Sequence, residues 1–150
     1  LPELRELDLE HNQIQHWSAA NQFPNLKVLN LSNNQLHSVE APFVFPKLED
    51  LSLKVNALKN LKGFGFFPVL KSLDLQYNQL QYFYTSDLAN FPLLEKIILC
   101  DNPIENLPPE ILTIVRYPNY DYNCVKDVQQ WFAEQAIASA SDTKTQDFEH

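Results

Sequence analysis

Residues 26–36 read Leu-Lys-Val-Leu-Asn-Leu-Ser-Asn-Asn-Gln-Leu, and this pattern of leucines closed by an asparagine decides the fold. The chain carries the pattern five times, in copies that begin at Leu4, Leu26, Leu48, Leu70 and Leu94. The period is 22 residues, with one spacing of 24 before the last copy. Self-similarity at a period of about 20–29 residues predicts a solenoid, in which each copy forms one coil.

The leucines of each copy alternate with other residues as in a β-strand, so one set points inward. In the second copy this set is Leu26, Leu29, Leu31 and Leu36. One coil is too thin to bury its own leucines, and neighbouring coils must stack to do so. The strands of successive coils are therefore expected to form a parallel sheet with a spacing of about 4.8 Å.

Two further positions recur with the same period. The first is an asparagine, at Asn12, Asn34, Asn56, Asn78 and Asn102. Its amide both donates and accepts hydrogen bonds, and we expect it to satisfy backbone groups of its own coil and of the adjacent coil. The second is an aromatic residue before proline, as in Phe23-Pro24, which holds the chain extended before the next strand and is expected to fill the convex side of the core.

The predicted fold is an α/β-type solenoid with a parallel concave sheet, short irregular convex crossings and a C-terminal helical cap. Residues 1–104 form five repeats, residues 105–138 form the capping region, and residues 139–150 form a flexible tail. A helical turn is predicted within residues 82–89 and a short helix within 107–112. In the cap, Val125, Val128, Trp131 or Phe132, and Ala136 fall at helical spacing. No polar cap precedes Leu1 and the chain has no methionine, so we expect the natural protein to continue upstream.

The charge balance limits the classes of partner that the chain is expected to bind. Eleven basic and nineteen acidic residues give a net charge of −8, which argues against nucleic acid and against anionic membrane surfaces. No apolar run approaches the about 20 residues of a membrane helix. The histidines are scattered, and no nucleophile triad, phosphate-binding loop or metal-ligand spacing is present, so we predict no enzymatic activity, no cofactor and no metal.

With these repeats and this cap, the chain resembles the leucine-rich repeat superfamily over residues 1–135. The resemblance implies a horseshoe fragment that binds protein partners. The segment from Asn123 to Val128, followed by Trp131, resembles the C-flanking modules of extracellular members, although it has one cysteine where they carry a pair. The nearest resemblance is to secreted arthropod immune proteins of the mosquito type. Cytosolic scaffolds with 22-residue repeats are the competing branch.

The outward strand residues are expected to form columns on the concave face, acidic at the N-terminal end. They suggest a docking surface for a basic or mixed-charge protein, although a solvated sheet face also favours polar residues. The predicted partner-binding residues are Glu6, Asp8, Glu10, Asn30, Asp50, Ser52, Lys54, Asp74, Gln76, Tyr77 and Lys96. The alternative surface is an aromatic cluster of Tyr77, Tyr82, Phe83 and Tyr84, unless Phe83 lies in the core and the tyrosines pack at the edge.

Cys100 and Cys124 lie 24 residues apart, close to one coil. This spacing suggests a disulfide between adjacent coils, and the alternative is two unrelated thiols. Asn30-Leu31-Ser32 is a possible glycosylation site, although the repeat pattern itself generates such triplets. Together these features predict a non-enzymatic protein-interaction module that is extracellular and acts in innate immunity. The alternative is an intracellular scaffold or regulatory subunit.

Overall fold

The structure is a computed structural model of the 150-residue chain, and it describes residues 1–17, 23–39, 43–114, 132–134, 136–138 and 140. Within these ranges, seven short strands and two short helices follow one another along the chain. They are β1 (Glu6–Asp8), β2 (His16–Trp17), β3 (Val28–Asn30), β4 (Ser38–Val39), β5 (Asp50–Ser52), β6 (Ser72–Asp74), α1 (Thr85–Leu88), β7 (Lys96–Ile98) and α2 (Ile111–Ile114).

The main sheet contains five parallel strands in the order β1-β3-β5-β6-β7, as predicted. The register aligns Leu7, Leu29, Leu51, Leu73 and Ile97 in one row that faces the core. Backbone hydrogen bonds continue beyond the strands, from Leu9 N–H to Asn30 O at 2.8 Å and onward at the same position of later coils. Successive coils are therefore equivalent, and each outward side chain has a counterpart on the next coil.

The repeated leucines form the core. Leu26, Leu36, Leu48, Leu51 and Leu53 are completely buried. The leucines of the first copy are only partly buried, because β1 is the edge strand of the described sheet. The prediction that stacking between coils buries the leucines is confirmed.

Aromatic side chains fill the convex side of the core. The phenylalanines that precede proline, including Phe23 and Phe67, are buried as predicted. Others pack around them, with ring centroids 5.2 Å apart for Phe67 and Phe91 and 5.4 Å apart for Trp17 and Phe43. The convex side is thus held by large rings in place of a layer of long helices.

The repeated asparagine bonds to two coils at once. The Asn56 side-chain N–H groups donate to Leu31 O of the preceding coil and to Leu53 O of its own coil, both at 3.0 Å. Its Oδ1 accepts from Leu36 N–H at 2.9 Å. Asn34, Asn78 and Asn102 repeat the arrangement, which confirms its predicted role.

The convex crossings are more regular than the sequence predicts. β2 and β4 pair in parallel as a second, two-stranded sheet, because neighbouring coils stay in register after the asparagine turn. The helical turn predicted within residues 82–89 is α1. The second helix, α2, begins at Ile111, after Pro108 and Pro109, and not at the prolines as the sequence suggested.

At the C-terminus, residues 132–134, 136–138 and 140 are helical, and Phe132 packs against the core. Ala136 is exposed, although the predicted spacing placed it on the packed face. The remaining predicted cap residues, Asn123, Cys124, Val125, Val128 and Trp131, lie outside the described residues, as does all of the predicted tail except residue 140.

Candidate protein-interaction surface

The concave face collects the predicted binding residues into aligned columns. The register places Glu6, Val28, Asp50, Ser72 and Lys96 in one column, and Asp8, Asn30, Ser52, Asp74 and Ile98 in the next. A third column of Glu10, Ser32, Lys54, Gln76 and Cys100 follows from hydrogen bonds between the coils beyond the strand ends. Of the predicted residues, Glu6, Asp8, Asp50 and Tyr77 are exposed and the other seven are partly buried.

The acidic N-terminal end of this face is ordered by hydrogen bonds. Glu10 accepts from Asn30 Nδ2 at 3.5 Å and from Asn33 Nδ2 at 3.3 Å. The Nε2 atom of His11 lies 3.5 Å from the same carboxylate. Asp8 accepts from Glu10 N–H at 3.0 Å. The carboxylates are therefore held in fixed positions, which lowers the entropy lost when a partner binds.

In the middle of the face, two aspartates alternate with two lysines. Burial raises the pKa of Asp50, and the charge of Lys96 offsets part of that rise. Burial also raises the pKa of Asp74, opposed by a hydrogen bond from Gln76 N–H and by the charges of Lys54 and Lys96. Perturbed carboxylates of this kind concentrate at functional sites. Partial burial therefore deprives both carboxylates of some of their water.

The fourth row beside these columns has an unusual backbone that the sequence did not reveal. Each residue of this row comes directly before one of the repeated asparagines. All of them have a left-handed φ of 56–59°. Val55 and Tyr77 are also exposed, by 36% and 51%. The row consists of His11, Asn33, Val55, Tyr77 and Asp101.

The residues of the alternative aromatic surface differ in burial. Phe83 is completely buried, whereas Tyr82 and Tyr84 are exposed and stack with ring centroids 6.1 Å apart. A hydrogen bond to Glu105 and the charge of that carboxylate raise the pKa of Tyr82. Tyr77 belongs to the row beside the concave columns, and the buried Phe83 takes no part in a surface, so the four residues do not form one exposed cluster.

The possible glycosylation site is tightly packed. Asn30 is partly buried, and its Oδ1 accepts from Ser32 N–H at 3.0 Å. Ser32 is buried, and its hydroxyl lies 2.6 Å from the Ser52 hydroxyl. Modification of Asn30 stays a prediction.

The remaining site predictions concern metal, membrane and disulfide. Among the described residues, no group of three or more histidine, cysteine, aspartate or glutamate side chains could hold a metal ion. No helix in the described part is long and apolar enough to cross a membrane. Cys124, the expected disulfide partner of Cys100, lies outside the described residues, and the pairing remains a prediction.

Parallel coils in register with a polar concave face define a class of protein, the repeat solenoids that bind partners along an extended surface. Residues 2–43 match the family model described as leucine rich repeats in two copies, and residues 24–80 match the model described as leucine rich repeat. Together the two matches span residues 2–80, and both models describe repeats of the leucine-rich repeat superfamily. Domains of this superfamily generally mediate protein–protein interaction. No curated protein matches the chain significantly.

Proposed function

We propose that this chain is a non-enzymatic recognition module whose concave face binds a basic protein partner. The observation that carries the proposal is the charge of that face. Its columns and the adjoining row hold six carboxylates and two lysines. Complementary charge steers association and excludes wrong partners. The carboxylates are Glu6, Asp8, Glu10, Asp50, Asp74 and Asp101, and the lysines are Lys54 and Lys96.

We further propose a secreted or cell-surface location and a role in innate recognition. Cys100 supports this location. It is the cysteine within the described residues, and these residues include no free cysteine. Disulfides persist in oxidising compartments. The role is supported by the resemblance of the cap segment to extracellular members of the superfamily. An intracellular scaffold is the alternative. Mass spectrometry of the native protein decides between them, since free thiols at both cysteines would exclude the extracellular location.

The concave site is tested with peptides selected from a displayed random library on the immobilised wild-type protein. Charge reversal in the Asp8→Lys/Asp50→Lys variant is expected to weaken the selected peptides at least tenfold, because basic peptides then meet like charge. Added salt should weaken binding to the wild type and have less effect on the variant.

The matched control is Glu3→Lys/Glu95→Lys, which changes the net charge equally at exposed positions outside the concave columns. It should leave the affinity within about twofold, since a general charge effect is screened over roughly 10 Å. Equal weakening by both double variants would contradict a concave site. Circular dichroism should show that all variants keep the wild-type spectrum.

A further inference from the structure

Two side chains beside the concave columns occupy a backbone conformation that does not suit them. Val55 and Tyr77 both have φ of 56°. Left-handed backbone is tolerated by asparagine, aspartate and histidine, but it is a genuine outlier for a β-branched or bulky residue. The same row carries Asn33 and Asp101 at equivalent positions, so the coil accepts favourable residues there. The strain at Val55 and Tyr77 is therefore a property of the residues and not a requirement of the fold.

The core does not explain these residues. Val55 and Tyr77 are 36% and 51% exposed, and neither belongs to the buried cluster. The turn is held by backbone hydrogen bonds, from Val55 N–H to Gln76 O at 2.8 Å and from Tyr77 N–H to Cys100 O at 3.2 Å. Any residue with an N–H group can make them. Stability is therefore given up for two exposed apolar side chains, a pattern expected where function competes with stability.

The surroundings of this pair are anionic on one side. Asp101 follows Tyr77 in the same row, and Gln76 Nε2 donates to its carboxylate at 3.3 Å. Asp74 lies in the second column, where burial raises its pKa and the charge of Lys54 lowers it. Val55 and Tyr77, with the Asp101 carboxylate next to them in the row, form a surface that suits an arginine side chain of a partner. Arginine offers an apolar stem, a flat cation that stacks on aromatic rings, and a fork that binds carboxylates.

We propose that Val55 and Tyr77 form the contact centre for an arginine presented by the protein partner, with Asp101 receiving its guanidinium. This inference rests on the proposed function and specifies which part of the concave side gives it affinity. Tyrosine is among the residues that dominate binding energy at interfaces, whereas the surrounding polar columns supply complementarity and steering.

The first test is stability. Val55→Asn and Tyr77→Asn are each expected to raise the thermal midpoint by about 2–4 °C, because asparagine adopts this backbone readily. Asn33→Val is the reverse substitution at the equivalent position of the previous coil, and it should lower the midpoint, both through the strained backbone and through loss of the hydrogen bond from Asn33 Nδ2 to Glu10. A fall in the midpoint for Val55→Asn or Tyr77→Asn would mean that these side chains support the fold, and would overturn the inference.

The second test is binding, with peptides from the same library selection. Peptides that bind the wild type should be enriched in arginine. Tyr77→Asn and Asp101→Asn should each weaken them at least tenfold, although Tyr77→Asn makes the protein more stable. Replacing the arginine of a selected peptide by lysine should also weaken binding, because lysine cannot stack and bind the carboxylate as a fork.

The two proposals fail differently. If Asp8→Lys/Asp50→Lys weakens the peptides while Tyr77→Asn and Asp101→Asn do not, the concave site stands and the arginine contact is refuted. If selected peptides lack arginine enrichment, the partner chemistry is refuted. If neither set of variants affects binding, or if no peptide is selected, both proposals fail.

Discussion

The substitution Asn78→Asp tests the role of the repeated asparagine directly. Asn78 is 7% exposed and donates to Leu53 O and Leu75 O at 3.0 Å each. Its Oδ1 accepts from Leu58 N–H at 3.1 Å, a bond that a carboxylate can retain. The carboxylate cannot donate, so Leu53 O and Leu75 O each lose one of two donors and keep the bond from Asn56 Nδ2 or from Asn102 Nδ2. The carboxylate oxygen that replaces Nδ2 faces these carbonyl oxygens without a donor. At about 1–3 kcal/mol for one unsatisfied buried group, the free energy of unfolding should fall by about 1–3 kcal/mol.

The assay is urea denaturation followed by circular dichroism, at pH 7 and at pH 4. The loss should be smaller at pH 4, because burial raises the pKa of the introduced carboxyl and the protonated form donates one hydrogen bond. For a raised pKa, stability is highest below the unfolded value and falls as pH rises through the folded value.

Asn60→Asp is the matched control. Asn60 is exposed, and its Oδ1 accepts from Lys62 N–H at 3.0 Å, which aspartate also allows. The control should change the free energy of unfolding by less than about 0.5 kcal/mol. A loss below 1 kcal/mol for Asn78→Asp, or an equal loss in both variants, would refute the hydrogen-bonding role of this column.

Three further results follow from the structure. Phe67→Ala should lower the free energy of unfolding by about 3–5 kcal/mol in the same assay, because the ring is completely buried, whereas Phe66→Ala, at a position 54% exposed, should have little effect. Asp74→Asn should raise stability at pH 7, since burial holds the pKa of Asp74 above its ordinary value of 3.8, and a pH series should show this gain shrinking as pH falls and disappearing below 3.8, where the aspartate is protonated in both states. If Cys100 pairs with Cys124, a reducing agent should lower stability by about 3 kcal/mol, as measured by denaturation with and without the reductant, and no change would exclude the disulfide.

The repeat spacing made most of the fold predictable. A leucine that is buried only when coils stack fixes the register, and the register then places Asp50 beside Val28 and Ser72. The asparagine was equally predictable, because a fold that turns inward after each strand needs a side chain that can donate and accept. The acidic columns of the candidate site could also be predicted from the repeat spacing, because it places equivalent strand residues side by side.

Features that depend on the conformation of one coil against the next were not predictable. Nothing in the residue type of Val55 suggests left-handed backbone, since valine disfavours it, and the hydrogen bond from its N–H to Gln76 O holds the turn. The pairing of β2 with β4 depends similarly on neighbouring coils. The contact between Tyr82 and Glu105 joins residues 23 positions apart in stretches whose sequences do not repeat.

The hydrogen bonds that the repeated asparagines make to another coil all run to the preceding coil. Asn34 accepts from Ile14 N–H and donates to Leu9 O, both in the coil before it, whereas Asn12 bonds only to carbonyls of its own coil among the described residues. Each coil is therefore completed by its successor. During synthesis, the backbone groups of the newest coil that bond to the next asparagine would stay unpaired until the next coil emerged. Unravelling would also be unequal at the two ends, because loss of any coil breaks backbone hydrogen bonds with its neighbours, whereas the bonds from its asparagine are lost only by the coil that preceded it.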